Sequence, residues 1–282
     1  MEPTDPIPEP DQDHALSAVP AETSRPAEPG AAGEPGQTVV DPPRVAVDPG
    51  RTTNGSGRFP YATWNPWIAI GGAVAALFLG TLLALPVVWT SGGSDFDSLG
   101  WGARAAVQLC TAIGFLAVPF LFAKQIPGQV GWKQAAGRLG FHRFKVKAAA
   151  KWIGIGFAAY IAFAIAFALI FGAPKQDDIA GELGPYWSQI LLIVILAPIS
   201  EEVCFRGMLF GGFRTRLNLP LAAIGAGLVF GALHFSTGVS AVPQLIVLGA
   251  IFAVVFEKTG SLWPAIIFHL INNAYALTIL NS

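Results

Sequence analysis

The sequence is poor in charged residues. Only 12% of its 282 residues are Asp, Glu, Lys or Arg, while 53% are apolar and the mean hydropathy is +0.54. An ordinary soluble domain carries roughly 25% charged residues. The few basic residues stand in short stretches between apolar runs and form no nucleic-acid-binding surface. The composition therefore excludes a soluble domain and predicts a polytopic membrane protein.

Cysteine and targeting signals are also scarce. The chain has two cysteines, Cys110 and Cys204, and both lie in apolar segments, which argues against a disulfide framework. The N-terminal region lacks the basic stretch followed by an apolar run that marks a cleaved export signal. We therefore expect no cleaved signal peptide.

The first 60 residues have few large apolar side chains. They hold twelve of the 22 prolines, and ten of the eighteen acidic residues precede residue 58. Such a composition cannot bury enough apolar surface to offset the entropy lost on ordering. We therefore expect residues 1–60 to be a disordered, acidic, Pro-rich tail and residues 61–282 to form the membrane domain.

Long apolar runs dominate the rest of the chain, and crossing the ~30 Å hydrocarbon core takes roughly 20 residues. Seven runs meet or approach this length, so the predicted fold is an all-α, polytopic transmembrane helical bundle of about seven spans. The predicted spans are residues 67–89, 105–123, 152–171, 187–213, 219–235, 239–256 and 262–280.

Basic residues predict the topology, because Lys and Arg are retained on the cytoplasmic side of a membrane. Residues 124–151 hold seven basic residues and no acidic one, and Arg214 and Arg216 follow the fourth span. Acidic residues follow the first and third spans. We therefore expect a multi-pass plasma-membrane protein with its basic loops and N-terminal tail in the cytoplasm.

Polar residues interrupt three of the apolar spans, although a charged side chain at bilayer depth costs at least about 2.5 kcal/mol. They are Glu201, Glu202 and Arg206 in the fourth span, His234 in the fifth, and His269 with Asn273 in the seventh. Counting ~1.5 Å per residue from the cytoplasmic helix ends brings all of them near mid-membrane. We therefore expect one shared polar cavity.

Spacing within the fourth span divides the roles of its charged residues. Glu202 and Arg206 are four residues apart, on one helical face, so the arginine is expected to neutralise this glutamate. Glu201 projects about 100° away from that face. We therefore predict a structural ion pair beside a second carboxylate that is left for chemistry.

The other polar spans supply hydrogen-bonding groups. His269 and Asn273 are four residues apart and can act on one point, and Phe230 shares a face with His234. In amide hydrolysis, Glu201 would take a proton from a water that His234 helps to position. Donors from His269 and Asn273 would stabilise the developing oxyanion, each worth on the order of 3 kcal/mol.

A metal-dependent version of this hydrolysis is also consistent with the residues. Glu201, His234 and His269 form a ligand set that catalytic zinc uses. The sequence contains no HExxH motif, the commonest helical signature of such sites. The choice between a metal and a metal-free reaction stays open from the residues alone.

Three motifs, in order and on separate spans, resemble the CPBP family, which comprises CAAX prenyl endopeptidases and bacteriocin-processing (Abi) intramembrane proteases. The family pattern is EExxxR, FxxxH and HxxxN, and this chain has EEVCFR from Glu201, FGALH ending at His234, and HLINN from His269 to Asn273. The flanking FRGMLF and TGSLWPAIIFH are also family-like. The resemblance covers about residues 187–275.

The resemblance implies an intramembrane endopeptidase that acts on a membrane-embedded or lipidated protein or peptide. It implies four catalytic residues: Glu201 as the base, with His234, His269 and Asn273. It leaves three supporting residues: Glu202, Arg206 and Phe230. A glutamate-activated water without a cofactor is the favoured mechanism, and zinc is the alternative.

A second class of function competes with proteolysis. A non-proteolytic membrane protein, either a proton-coupled carrier or a scaffold or immunity protein, could use the same polar cluster. A carrier of this kind often contains internal repeats. The two halves of this chain show no convincing repeat.

Overall fold

The structure is a computed structural model, and it describes residues 59–92, 98–172, 179–235 and 238–280. All the regular elements in these ranges are helices, which confirms the all-α prediction. The predicted disordered tail, residues 1–60, lies outside the described residues except for its last two. In chain order the main helices are α1 (Pro66–Thr90), α2 (Trp101–Gln125), α3 (Trp132–Arg138), α4 (Val146–Phe171), α5 (Tyr186–Phe213), α6 (Leu219–Leu233), α7 (Val242–Thr259) and α8 (Leu262–Leu280).

Six helices in the described part of the chain are long and apolar enough to cross a membrane: α1, α2, α4, α5, α7 and α8. The fifth of the seven predicted spans is α6, which has only 15 residues. It ends at Leu233 because His234 leaves the helical conformation, with φ −97° and ψ 13°. Six spans and one shorter apolar helix therefore stand where seven spans were predicted.

Side-chain caps fix where two of the helices begin. The side chain of Asn65 accepts a hydrogen bond from the backbone N–H of Ile68 at 3.0 Å, and that of Asn218 accepts one from Leu221 at 3.1 Å. Each cap satisfies an N–H group that has no partner within its own helix. Proline near the start of both helices, where no such N–H is needed, reinforces the boundary.

Contacts between loops reveal which helix ends share a face of the bundle. Arg214, just after α5, pairs with Glu257 near the end of α7. Tyr61, near the start of the described chain, donates a hydrogen bond to the carbonyl oxygen of Gly260, just after α7. Ser261, just before α8, donates one to the carbonyl oxygen of His142 in the loop before α4. On the other face, Arg104 at the start of α2 forms an ion pair with Glu182 before α5. The basic loops predicted to share one side therefore do so; we call this side the basic face.

The packed region includes part of the predicted tail. Phe59, two residues before the predicted boundary at residue 61, is only 8% exposed. Its ring centroid lies 6.2 Å from that of Phe210 and 5.5 Å from that of Phe256. The described core of the protein therefore begins before residue 61.

Helices α6 and α7 pack closely because α6 presents glycines to its neighbour. A Cβ atom at Gly227 would lie 2.5 Å from the carbonyl oxygen of Ile246, so a residue with a side chain does not fit there. This approach brings Phe230 of α6 and Phe252 of α7 together, with ring centroids 6.4 Å apart. These two rings border the polar cluster.

Candidate active site

Both glutamates of α5 face His269 of α8. Oε1 of Glu202 lies 2.9 Å from Nδ1 of His269, and Oε2 of Glu201 lies 3.8 Å from Nε2. The side chain of Glu202 is completely buried, whereas that of Glu201 is 15% exposed. The imidazole therefore lies between the two carboxylates, and Glu201 is the one that water can reach.

Arg206 holds the buried glutamate. Its Nη1 lies 3.1 Å from Oε1 of Glu202, and its Nη2 donates a hydrogen bond to the carbonyl oxygen of Gly249 at 3.1 Å. The guanidinium is 1% exposed, so the charge of Glu202 is balanced inside the bundle. The structure contains the ion pair that the spacing of these two residues predicted.

Two phenylalanine rings enclose Arg206 and His269. The guanidinium carbon of Arg206 lies 4.5 Å from the centroid of the Phe230 ring and 4.9 Å from that of Phe252. His269 stacks on Phe252 at 4.6 Å with an interplanar angle of 26°, and meets Phe230 edge-on at 5.9 Å. Cation–π and aromatic contacts of this kind fix the orientation of both polar groups.

The contribution of α7 was missed by the sequence analysis. Phe252 and Gly249 stand in a uniformly apolar stretch, VLGAIFAVVF, where a phenylalanine is expected in any helix core. The roles of these two residues depend on the close packing of α6 and α7. No local pattern in the sequence carries that information.

His234 is the first residue after α6. Its Nδ1 lies 2.8 Å from the carbonyl oxygen of Phe230. Because a carbonyl only accepts hydrogen bonds, Nδ1 carries the hydrogen and Nε2 of the neutral ring is the acceptor. The imidazole also contacts the Phe230 ring at 4.6 Å, and the same ring touches His269. Phe230 therefore connects the two histidines.

Helix α5 changes its winding around the two glutamates. It is π-helical over Ile190–Leu196 and Val203–Phe210, and α-helical over Ala197–Glu202 between them. Such widened turns recur at functional sites. In the first π-helical segment each N–H reaches the carbonyl five residues earlier, as Ala197 does to Leu192.

Pro198 breaks this pattern at the next step. The carbonyl of Ile193 would take its hydrogen bond from residue 198, and proline has no N–H. The side-chain amide of Asn273 fills that position, donating to the oxygen of Ile193 at 3.0 Å. A primary amide has two N–H donors, so this bond uses one and sets the direction of the other.

The described residues include no group of three or more His, Cys, Asp or Glu side chains that could hold a metal ion. The alternative ligand set of Glu201, His234 and His269 is therefore not assembled as a metal site in this geometry. Nδ1 of the two histidines is engaged, by Phe230 and by Glu202 respectively, which leaves Nε2 as the ring nitrogen that faces a water or another ligand.

The fold and the site define the class of protein: a multi-pass helical membrane protein with a carboxylate–histidine cluster inside its bundle. Residues 183–275 match the family described as Type II CAAX prenyl endopeptidase Rce1-like. This match, over about a third of the chain, supports the resemblance to the CPBP family. These matched residues contain all three motifs and nearly coincide with the predicted motif region, 187–275.

A curated relative covers more of the chain. The chain is 22% identical to YdiL of Bacillus subtilis (strain 168), whose name proposes a membrane peptidase. The similarity extends over 210 residues, which are 70% of this chain and 81% of YdiL. No solved structure matches the chain. Family and relative together support a membrane protease.

Proposed function

We propose that this protein is an intramembrane endopeptidase that hydrolyses a peptide bond in a membrane-embedded or lipidated protein or peptide. One observation carries the proposal. Of the two glutamates beside His269, Glu202 is buried and paired with Arg206, whereas Glu201 keeps a partly exposed carboxylate. A base has to reach water, and Glu201 is the carboxylate that can.

The reaction begins with a water next to Glu201. The carboxylate takes one proton from it, and the water oxygen attacks the carbonyl carbon of the peptide bond. The 3.8 Å between Oε2 of Glu201 and Nε2 of His269 is too long for a direct hydrogen bond, so the two atoms can contact the same water from one side. Nε2 of His234 is the acceptor that can orient the second hydrogen of the attacking water.

The tetrahedral intermediate carries its negative charge on the former carbonyl oxygen. The second N–H of Asn273 is a donor for this oxyanion, and His269 adds a donor at Nε2 when the ring enters the reaction with a hydrogen on both nitrogens, Nδ1 staying bonded to Glu202. Glu201 then passes its proton to the leaving nitrogen. The C–N bond breaks, and the products are a carboxylate and an amine.

The test compares new protein N-termini, by mass spectrometry, in membranes that contain the wild-type protein or Glu201→Gln at equal levels. Glu182→Gln is the matched control, because it is also a Glu-to-Gln substitution. Glu182 forms its ion pair with Arg104 on the face of the bundle opposite the basic face, away from the polar cluster. We expect one or more termini to appear with the wild type and the control and to be absent with Glu201→Gln. Identical termini in all three samples would contradict the proposal and favour a carrier or scaffold.

A further inference from the structure

An apolar groove with a volume of about 380 Å³ lies on the outer face of α2, beside α3. Its lining consists of Ile113, Leu116, Ala117, Phe120, Leu121 and Trp132. Ile113, Leu121 and Trp132 are each more than 40% exposed, so the groove opens away from the core. In a membrane-spanning bundle this surface faces lipid.

Along the direction of α2, the groove is about as long as one leaflet of the bilayer is thick. Lys124 lies at the end of α2 on the basic face, and Ile113 lies eleven residues earlier. With a rise of ~1.5 Å per residue, Ile113 is roughly 16 Å from Lys124 along the helix. Half of the ~30 Å hydrocarbon core is about 15 Å. The groove therefore runs from the basic face to about the middle of the bilayer.

The mouth of the groove is basic. Nζ of Lys124 lies 4.9 Å from the centroid of the Trp132 ring, and Lys133 is the next, exposed residue of α3. Arg138 serves a different purpose, because its Nη1 donates to the carbonyls of Ala123 and Ile126, both at 2.8 Å. The sequence from residue 124 to 151 contains no acidic side chain. Two lysines are thus available to an anion at this end.

The wall of the groove is held in place from behind. Phe120 stacks on Phe141 at 5.9 Å, and Phe141 in turn packs edge-on against Trp263 at 5.4 Å. These contacts tie α2 to the loop before α4 and to α8. The groove is therefore part of the packed bundle and does not depend on a bound partner.

We propose that this groove binds an acyl chain of an anionic phospholipid from the leaflet on the basic face, with the headgroup phosphate at Lys124 and Lys133. The apolar length matches one leaflet, and the charge at the mouth complements an anionic headgroup. A second copy of the chain is a poorer occupant than a lipid. On the basic face of the described structure, the carboxylate of Glu257 is already paired with Arg214 and so is not available to the two lysines. The N-terminal 57 residues are acidic but have few large apolar side chains to fill the groove.

Brominated lipids test this proposal, because bromine on an acyl chain quenches a tryptophan that it touches. The full-length protein is reconstituted in phosphatidylcholine vesicles with increasing fractions of brominated phosphatidylglycerol or of brominated phosphatidylcholine. The difference between the wild type and Trp132→Phe isolates the fluorescence of Trp132. The same difference for Trp67→Phe is the control, since Trp67 is 80% exposed at the start of α1, on the same face.

We expect half-maximal quenching of Trp132 at a mole fraction of the anionic lipid about fivefold or more below that of the zwitterionic lipid. Trp67 should show a smaller preference. Lys124→Gln/Lys133→Gln should remove the preference at Trp132, whereas Lys147→Gln/Lys151→Gln, on the same face, should leave it. Equal quenching by both lipids, a preference that survives Lys124→Gln/Lys133→Gln, or protection of Trp132 together with cross-linked dimers would each overturn the proposal. None of these outcomes depends on proteolysis.

Discussion

The side-chain amide of Asn273 donates a hydrogen bond to the backbone oxygen of Ile193, 3.0 Å away on another helix. That oxygen is available because Pro198 stands where the π-helical pattern would supply an N–H. The orientation of a proposed oxyanion donor on α8 is thus set by a proline on α5. Pro198 lies three residues before Glu201, so one short segment supplies the base and orients the donor.

Pro198→Ala tests this relationship. Alanine restores an N–H that competes with Asn273 for the oxygen of Ile193. We expect kcat to fall roughly tenfold, less than the 10²–10³ typical when an oxyanion donor is removed altogether. The melting temperature should stay equal or rise, because alanine suits a helix interior better than proline. Turnover of the substrate identified by the N-terminal comparison, with unfolding followed in detergent, measures both, and unchanged turnover would contradict the relationship.

The two adjacent glutamates should respond differently to the same substitution. Glu202→Gln leaves the guanidinium of Arg206 buried without a balancing charge, so we expect a loss of about 3–5 kcal/mol in the free energy of unfolding. Glu201→Gln should change that free energy by less than about 1 kcal/mol, because its carboxylate is partly exposed. Chemical unfolding in detergent micelles compares them. Equal destabilisation by both variants would show that the structural and chemical roles are not divided in this way.

Phe252 should matter for activity beyond its contribution to the core. Phe252→Leu removes the ring on which His269 stacks, and we expect kcat to fall about tenfold with little change in KM. Phe256→Leu is the matched control, since Phe256 is equally buried one turn away and packs on Phe59 and Phe210. Both variants should lose less than about 1.5 kcal/mol of stability. If Phe256→Leu lowers kcat as much as Phe252→Leu does, the effect is one of general packing.

Chelation should leave the proposed reaction largely intact. Glu201, His234 and His269 do not form a metal-holding group in the described structure, and the proposed base acts directly on water. We expect less than a twofold loss of turnover after dialysis against EDTA and 1,10-phenanthroline. A loss that zinc restores would instead support the metal-dependent alternative.

The orientation of the basic face follows from its charge and is tested by labelling. The positive-inside rule predicts that Lys145, which is exposed just before α4, lies in the cytoplasm. In a Cys110→Ser background, Lys145→Cys should react with a membrane-impermeant maleimide only after the cells are broken. Gly102→Cys, at the start of α2 on the other face, is the paired control and should react in intact cells. The reverse pattern would invert the topology.

The sequence predicted the features that depend on short-range pattern. Apolar length identified six spans but overestimated α6, charge identified which loops share a face, and spacing identified the pair of Glu202 and Arg206. The position of His269 between two carboxylates was not predicted, because spacing on one helix does not determine how that helix is rotated against its neighbour. For the same reason, the contact of Phe252 with His269 was not predicted. The end of α6 at Leu233 depends on backbone angles that its apolar composition does not indicate.

Helix α6 is too short to cross a membrane on its own. Its 15 residues rise ~22 Å, about 8 Å less than the ~30 Å hydrocarbon core. The backbone after Leu233 needs hydrogen-bond partners that lipid tails do not offer. His234, the first residue after α6, is thus carried on a helix that is shorter than a full membrane crossing. The length of α6, and not only its sequence, therefore determines how far from the basic face this imidazole stands.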